Sequence, residues 1–328
     1  MRLTQLADQL VNTFRCNVCQ WHCVLAPGQV GRCLVRIGTD EGIVAENDGM
    51  ISAAQFGMIE DHGLWHLLPG TSVMAVGSWG CAFPTDQQHS QYARLPGDET
   101  KRRQLAPERV PLVALERLCR GVVWTYNDPS VSQEYLLDVL SVSRANSRYT
   151  AIVTTGYHTI AALDQIGNYL DAISLDLRAF DDSAYSRLAG VEQWRGILEV
   201  VAYAKQRWHC HVEVTTRMHP GVNDTPQQIE AMAGWIRHTL GGQTAWHVLP
   251  GDAGSAAAAA VNRARRIGHE QGLQFIYGPD PYQPTHCSSC GTVVIERNAT
   301  GTRMVGLEGS HCASCGVDLH IRTSIFKQ

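Results

Sequence analysis

Val73-Met74-Ala75-Val76-Gly77-Ser78-Trp79-Gly80-Cys81-Ala82-Phe83 is the stretch that decides the fold. Its first five residues form a short apolar run of the kind that makes a strand. Glycines then bracket the approach to Cys81, and Pro84-Thr85-Asp86-Gln87-Gln88-His89-Ser90 follows. A loop built to hold an iron–sulfur cluster would place cysteines at 81, 85 and 88. Here those positions read Cys81, Thr85 and Gln88.

From Ser72 onward, short apolar runs alternate with stretches of helix length. The predicted strands are Val73–Gly77, Val122–Tyr126, Tyr149–Thr155, Ala172–Leu177, His211–Met218, Ala245–Leu249 and Gln274–Tyr277. Alternation of this kind implies an α/β fold on a parallel sheet, open or closed into a barrel. One helix is well marked. Thr225 suits an N-cap, Pro226 the first helical position and Gln228 the capping-box partner. Ile229, Met232, Ala233, Ile236 and Leu240 recur at helical spacing, and Gly241-Gly242 stops the run. Ala253–Ala264 reads as an alanine-rich helix with little side-chain chemistry.

Polar residues gather at the predicted strand ends, where barrels of this class do their chemistry. They are Asn127 and Asp128, then Thr155-Gly156-Tyr157, then Asp176 and Arg178, then Thr215 to Arg217. Ordinary loop and cap duty accounts for some of them. By alternation Glu213 and Thr215 share a strand face, as do His209 and His211; for the two histidines, plain packing is the favoured reading.

The chain has 328 residues and a formal net charge of −4. The charge is mild and mixed, which argues against nucleic acid as the main partner. No apolar run approaches the ~20 residues of a membrane span, and Met1 to Phe14 lacks an apolar signal core, so a cytoplasmic protein is expected.

Eleven cysteines, an odd number in a chain without a signal, favour reduced, metal-binding thiols over disulfides. Cys287-x2-Cys290 and Cys312-x2-Cys315, each followed by glycine, are paired knuckles around a predicted hairpin at Asn298–Gly301. This is the pattern of a zinc ribbon. Cys16, Cys19, Cys23 and Cys33 form a second set, with His22 as a possible substitute. Zinc is the first reading there and an iron–sulfur cluster the second. Cys81, Cys119 and Cys210 stand apart. The expected organisation is a Cys-rich module over 1–70, an α/β core over 71–280 and a ribbon-like module over 281–328.

The N-terminal cysteines with Gly28, Gly31 and Val35-Arg36, then HLLPG (66–70), GSWGCAF (77–83), TYNDPS (125–130), TTGY (154–157), DAISLDLRAF (171–180), HVEVTTRMHPGVND (211–224) and the two terminal knuckles, follow in one order. Together they span nearly the whole chain. In this the sequence resembles the AmmeMemoRadiSam-system radical SAM proteins, relatives of pyruvate formate-lyase activating enzymes. The resemblance implies a partial (β/α)6 TIM-like barrel, a 4Fe–4S cluster on a CxxxCxxC loop and S-adenosylmethionine bound across the strand ends. It implies cleavage of that cofactor to a 5′-deoxyadenosyl radical, and companion proteins of the AMMECR and Memo types. It would make Cys81 a cluster ligand and place Asp128, Thr155, Asp176, Glu213, Thr215 and Arg217 around the cofactor.

The sequence departs from that family at the loop. Thr85 and Gln88 offer hard or neutral oxygens where soft thiolates are needed, and Asp86 with His89 would be an ill-spaced replacement. Val248-Leu249-Pro250-Gly251-Asp252 also stands where the family has an Arg-Phe-x-Pro run. The expected function is therefore a non-catalytic or altered homologue, acting as scaffold or regulatory partner. The alternative is a working radical enzyme with unusual cluster ligands.

Overall fold

The computed structural model describes residues 2–325. The chain is α/β, with a central sheet that is mostly parallel. It forms two compact units interleaved along the sequence. The first comprises Met1–Gly57, Ser72–Ile173 and Ala189–Cys210; the second comprises Met58–Thr71, Ser174–Leu188 and His211–Gln328. The spans 1–70, 71–280 and 281–328 follow motifs and do not coincide with these units.

In the first unit, β1 (Ser72–Gly77), β2 (Gly121–Trp124) and β3 (Tyr149–Thr154) run parallel, with Val73 and Tyr149 both opposite Gly121. Val73, Val76, Val122, Val123 and Ala151 are almost wholly buried. Such unbroken apolar strands suit a parallel sheet covered on both faces. Helix α1 (Gln133–Ala145) follows β2, and α2 (Ile160–Gly167) follows β3. Thr159 starts α2 by accepting a hydrogen bond from the Ala162 N–H at 3.1 Å. Before β1, Ala7–Leu10, Thr13–Cys16 and Val24–Leu25 make a small antiparallel sheet, with Ala7 opposite Cys16 and Phe14 opposite Leu25.

The strand β4 (Ala172–Asp176) begins in the first unit and ends in the second. The second unit then carries β5 (His211–Met218), β6 (Trp246–Pro250) and β7 (Ile276–Tyr277), again parallel, with Val214 opposite Trp246 and Trp246 opposite Ile276. The predicted strand from Gln274 is thus only two residues long. His209 does not share a face with His211, because it is the left-handed cap (φ 52°) of the helix Arg195–Trp208 and lies outside the strand.

The predicted helix over 226–240 is two pieces. An α-helix covers Pro226–Trp235, and a wider π turn covers Ile236–Leu240. Thr225 caps it, accepting from the Gln228 N–H at 3.3 Å, but the Gln228 amide donates to the Val222 carbonyl at 2.9 Å rather than closing a capping box. The alanine-rich run is the helix Ser255–Glu270. Beyond it, Val293–Asn298 and Gly301–Met304 pair as the expected hairpin. Among the described residues, no helix is long and apolar enough to cross a membrane.

Candidate functional site

The loop after β1 is fixed by close packing on two glycines. A Cβ on Gly77 would sit 1.9 Å from the Thr125 carbonyl oxygen. One on Gly80 (φ +102°) would meet Val35 at 2.7 Å. Two buried carboxamides hold the segment between them. Asn127 accepts from the Ser78 N–H at 2.8 Å and donates to the Trp79 carbonyl at 3.2 Å. Asn47 donates to that same carbonyl at 2.7 Å. Asn47 has no sequence signal, being a polar residue that acts 32 positions away.

Cys81 is buried. Its sulfur accepts from the Phe83 N–H at 3.4 Å and lies 3.6 Å from the Asp86 carboxylate. The Gln87 amide donates to the carbonyls of Cys81 at 2.8 Å and of Arg32 at 2.5 Å. Asp86–His89 is a single helical turn, and Gln88 and His89 are exposed. Cys81, Asp86 and His89 do not converge as one group of metal ligands.

Asp128 and Thr155 do come together. Asp128 starts the tight turn Pro129–Ser132. One carboxylate oxygen accepts from the Ser130 N–H (2.9 Å) and hydroxyl (2.6 Å), and the other accepts from the Thr155 hydroxyl. His158 lies two residues past Gly156 and is fully buried. Burial lowers its pKa, against the pull of Asp128, so the ring is neutral at pH 7. Its Nε2 has no hydrogen-bond partner.

The N-terminal cysteines line one cavity together with Val18, Leu25, Arg36 and Val131. Cys16, Cys19 and Cys33 are buried and Cys23 half-buried. The segment between Cys19 and Cys23 reaches the loop after β1 through Trp21, whose indole donates to the Ala82 carbonyl at 2.6 Å.

In the second unit, Glu213 is wholly buried at the middle of β5. Its carboxylate accepts from the backbone N–H groups of Trp65 (2.9 Å) and His66 (2.7 Å). It also bonds Nε2 of His211 (2.9 Å) and Nε2 of His247 (2.8 Å). Burial alone would raise its pKa. The two histidines outweigh that and hold it well below the usual carboxylate value. His66 is pushed down to about 3 by burial and bonds the Tyr277 hydroxyl at 2.7 Å. Thr215 is half-buried and Arg217 exposed on the same strand. Asp176 pairs with Arg178 at 3.0 Å.

The C-terminal cysteines converge. Cys287 and Cys315 sulfurs lie 3.6 Å apart, and those of Cys290 and Cys312 3.7 Å apart. All four sit within 4.8 Å of one another and can hold one metal ion. The glycine after each knuckle, Gly291 and Gly316, takes the left-handed conformation.

Residues 78–236 match the radical SAM superfamily model. An uncharacterized protein of Methanocaldococcus jannaschii is 27% identical over 324 residues, 94% of this chain and 96% of that protein. The isethionate sulfite-lyase activating enzyme of Oleidesulfovibrio alaskensis is 27% identical over 114 residues, 34% of this chain and 37% of that enzyme. A radical SAM methyltransferase structure from Sphaerobacter thermophilus aligns with a TM-score of 0.47 at 14% identity, over 68% of this chain and 70% of that one. The chain carries a radical SAM superfamily domain, with activating enzymes among its relatives.

Proposed function

We propose that this protein keeps the radical SAM fold without building the reactive cluster on the loop after β1, and that it serves as a scaffold or regulatory partner. A radical SAM domain implies a 4Fe–4S cluster and S-adenosylmethionine. The cluster needs three thiolates so that its fourth iron stays free for the cofactor. One observation carries the reading: Cys81 stands with Thr85 and Gln88, and the loop's polar groups already bond one another through Gln87, Phe83 and Asp86. The donor set does not fit the group. Glu213, on the strand where the family faces its cofactor, has both carboxylate oxygens taken by four protein donors.

The rest of the reading follows the same resemblance. The fold is a partial (β/α)6 barrel, and the ribbon over 281–328 holds structural zinc. Tetrahedral zinc with ~2.3 Å bonds sets its sulfurs about 3.8 Å apart, close to the two short separations in the C-terminal set. Partners of the AMMECR or Memo type suit a scaffold, and the protein acts in the cytoplasm. A second reading, an active enzyme with unusual cluster ligands, draws support from the contact of Trp21 with the Cys81 loop.

The test is release of 5′-deoxyadenosine from S-adenosylmethionine by the anaerobically reconstituted protein under strong reductant. None is expected above a protein-free control. Turnover abolished by Cys81→Ala would overturn the reading. The Thr85→Cys, Gln88→Cys double variant should gain iron held at the loop.

A further inference from the structure

We propose that Cys16, Cys19, Cys23 and Cys33 ligate a second kind of centre, a four-thiolate iron–sulfur cluster of the 4Fe–4S type, rather than zinc. The inference is independent of whether the Cys81 loop is active. Four observations carry it.

The first is spacing. Zinc draws four sulfurs to within about 3.8 Å of one another. The C-terminal set does this and comes together as a four-ligand group, whereas the N-terminal cysteines do not form such a group among the described residues. The second is that all four thiols nevertheless face one cavity. A cubane, with its own sulfides between the irons, needs its ligands held apart around a space, whereas a single ion needs them drawn together.

The third is the wall. Val18, Leu25 and Val131 give the apolar shell that shields such clusters from water, and three of the four cysteines are buried. The fourth is a donor. Hydrogen bonds to sulfur are among the means by which proteins stabilise these clusters. Arg36 has a donor that is not yet used. Its Nη atoms pair with Glu134 at 2.9 and 3.1 Å, its buried Nε has no partner, and the residue itself lines the cavity. An orphan buried N–H is costly, and a cluster sulfide or thiolate would satisfy it.

Four cysteine ligands leave no iron open, so this centre does not bind S-adenosylmethionine. It ties the N-terminal module together beside two segments of the core, Gly80–Ala82 and Ser130–Val131.

The experiment is metal and sulfide analysis of the full-length protein, purified without oxygen and reconstituted with iron and sulfide. About four irons and four sulfides per chain are expected, with about one zinc. Cys16→Ser and Cys33→Ser should lose the iron and keep the zinc, whereas Cys81→Ala should keep both. Since buried variants can fail to fold, Cys23→Ser provides a second arm. That half-exposed ligand can be exchanged at little cost to packing, and the change should alter the electron paramagnetic resonance spectrum of the reduced cluster. S-adenosylmethionine should leave the wild-type spectrum unchanged. About two zinc ions with no iron would overturn the proposal, as would iron that disappears only in Cys81→Ala. If 5′-deoxyadenosine were released while Cys81→Ala kept its iron, the scaffold reading would fail and this one would stand.

Discussion

Four cysteines in the second unit bring their sulfurs together, with pairs at 3.6 and 3.7 Å, while four in the first line a cavity without forming such a group. The carboxylates differ in the same way. Glu213 accepts from four donors on three separate chain segments. Asp128 is held by two residues near it in the fold, Ser130 and Thr155. Arg36, which lines the cavity of the first unit, keeps a buried Nε without a partner. A group whose valences are filled by protein reads as stabilising, since nothing further can bind without breaking those bonds. A group left open in a buried place reads as a binding site. Glu213 and the C-terminal cysteines are thus closed on protein partners, whereas Arg36 beside the N-terminal cysteines keeps a donor open.

The largest test of that contrast is Cys287→Ser with Cys312→Ser, which removes the two buried sulfurs of the C-terminal set. Structural zinc contributes on the order of 10 kcal/mol to folding in small modules. The hairpin Val293–Asn298 with Gly301–Met304 should lose its hydrogen-exchange protection, and β1 to β3 should keep theirs. A hairpin that stays protected without metal would show that this segment is held by its apolar residues Val294, Ile295, Leu319 and Ile321 alone.

Glu213→Gln comes next, at about 3–5 kcal/mol, because it strips the charge that a buried histidine, a half-buried one and two N–H groups surround. The effect carries a pH signature. The folded carboxyl binds its proton more weakly than the unfolded one, whose pKa is about 4.3. Below that value the unfolded state therefore holds more protons, and stability falls as pH drops toward the folded pKa. Thermal melts of the wild type between neutral and acidic pH should show this loss, and those of the variant should be flatter. An acid slope unchanged by the substitution would mean that Glu213 is not the closed hub the geometry describes.

Much of this was legible in the chain, and the limits have physical causes. His211–Met218 shows as a strand because its alternation is local. The lost partner of that pattern, His209, belongs to a helix end, where a left-handed cap interrupts the period. Thr225 acts as the predicted cap, but Gln228 finds a nearer acceptor at Val222. Glu213 is visible as a strand acid, yet three of its partners, Trp65, His66 and His247, lie far from it in sequence, so no spacing reveals that its oxygens are filled. The two cysteine sets have similar CxxC spacing. What separates them is whether the sulfurs come together as one group and what lines the space beside them, and neither is written in spacing.

The smallest test sits in the first unit. Thr155→Val keeps the side-chain volume and removes the hydroxyl that donates to Asp128. The carboxylate keeps its two bonds from Ser130, so the expected cost is about 1–2 kcal/mol by chemical denaturation, well under that of Glu213→Gln. The two variants form a pair, each removing support around a buried acid, one in each unit. If Thr155→Val cost as much as Glu213→Gln, Asp128 would be as tightly closed as Glu213. The strand end of the first unit would then be a structural joint rather than ground kept open for a ligand.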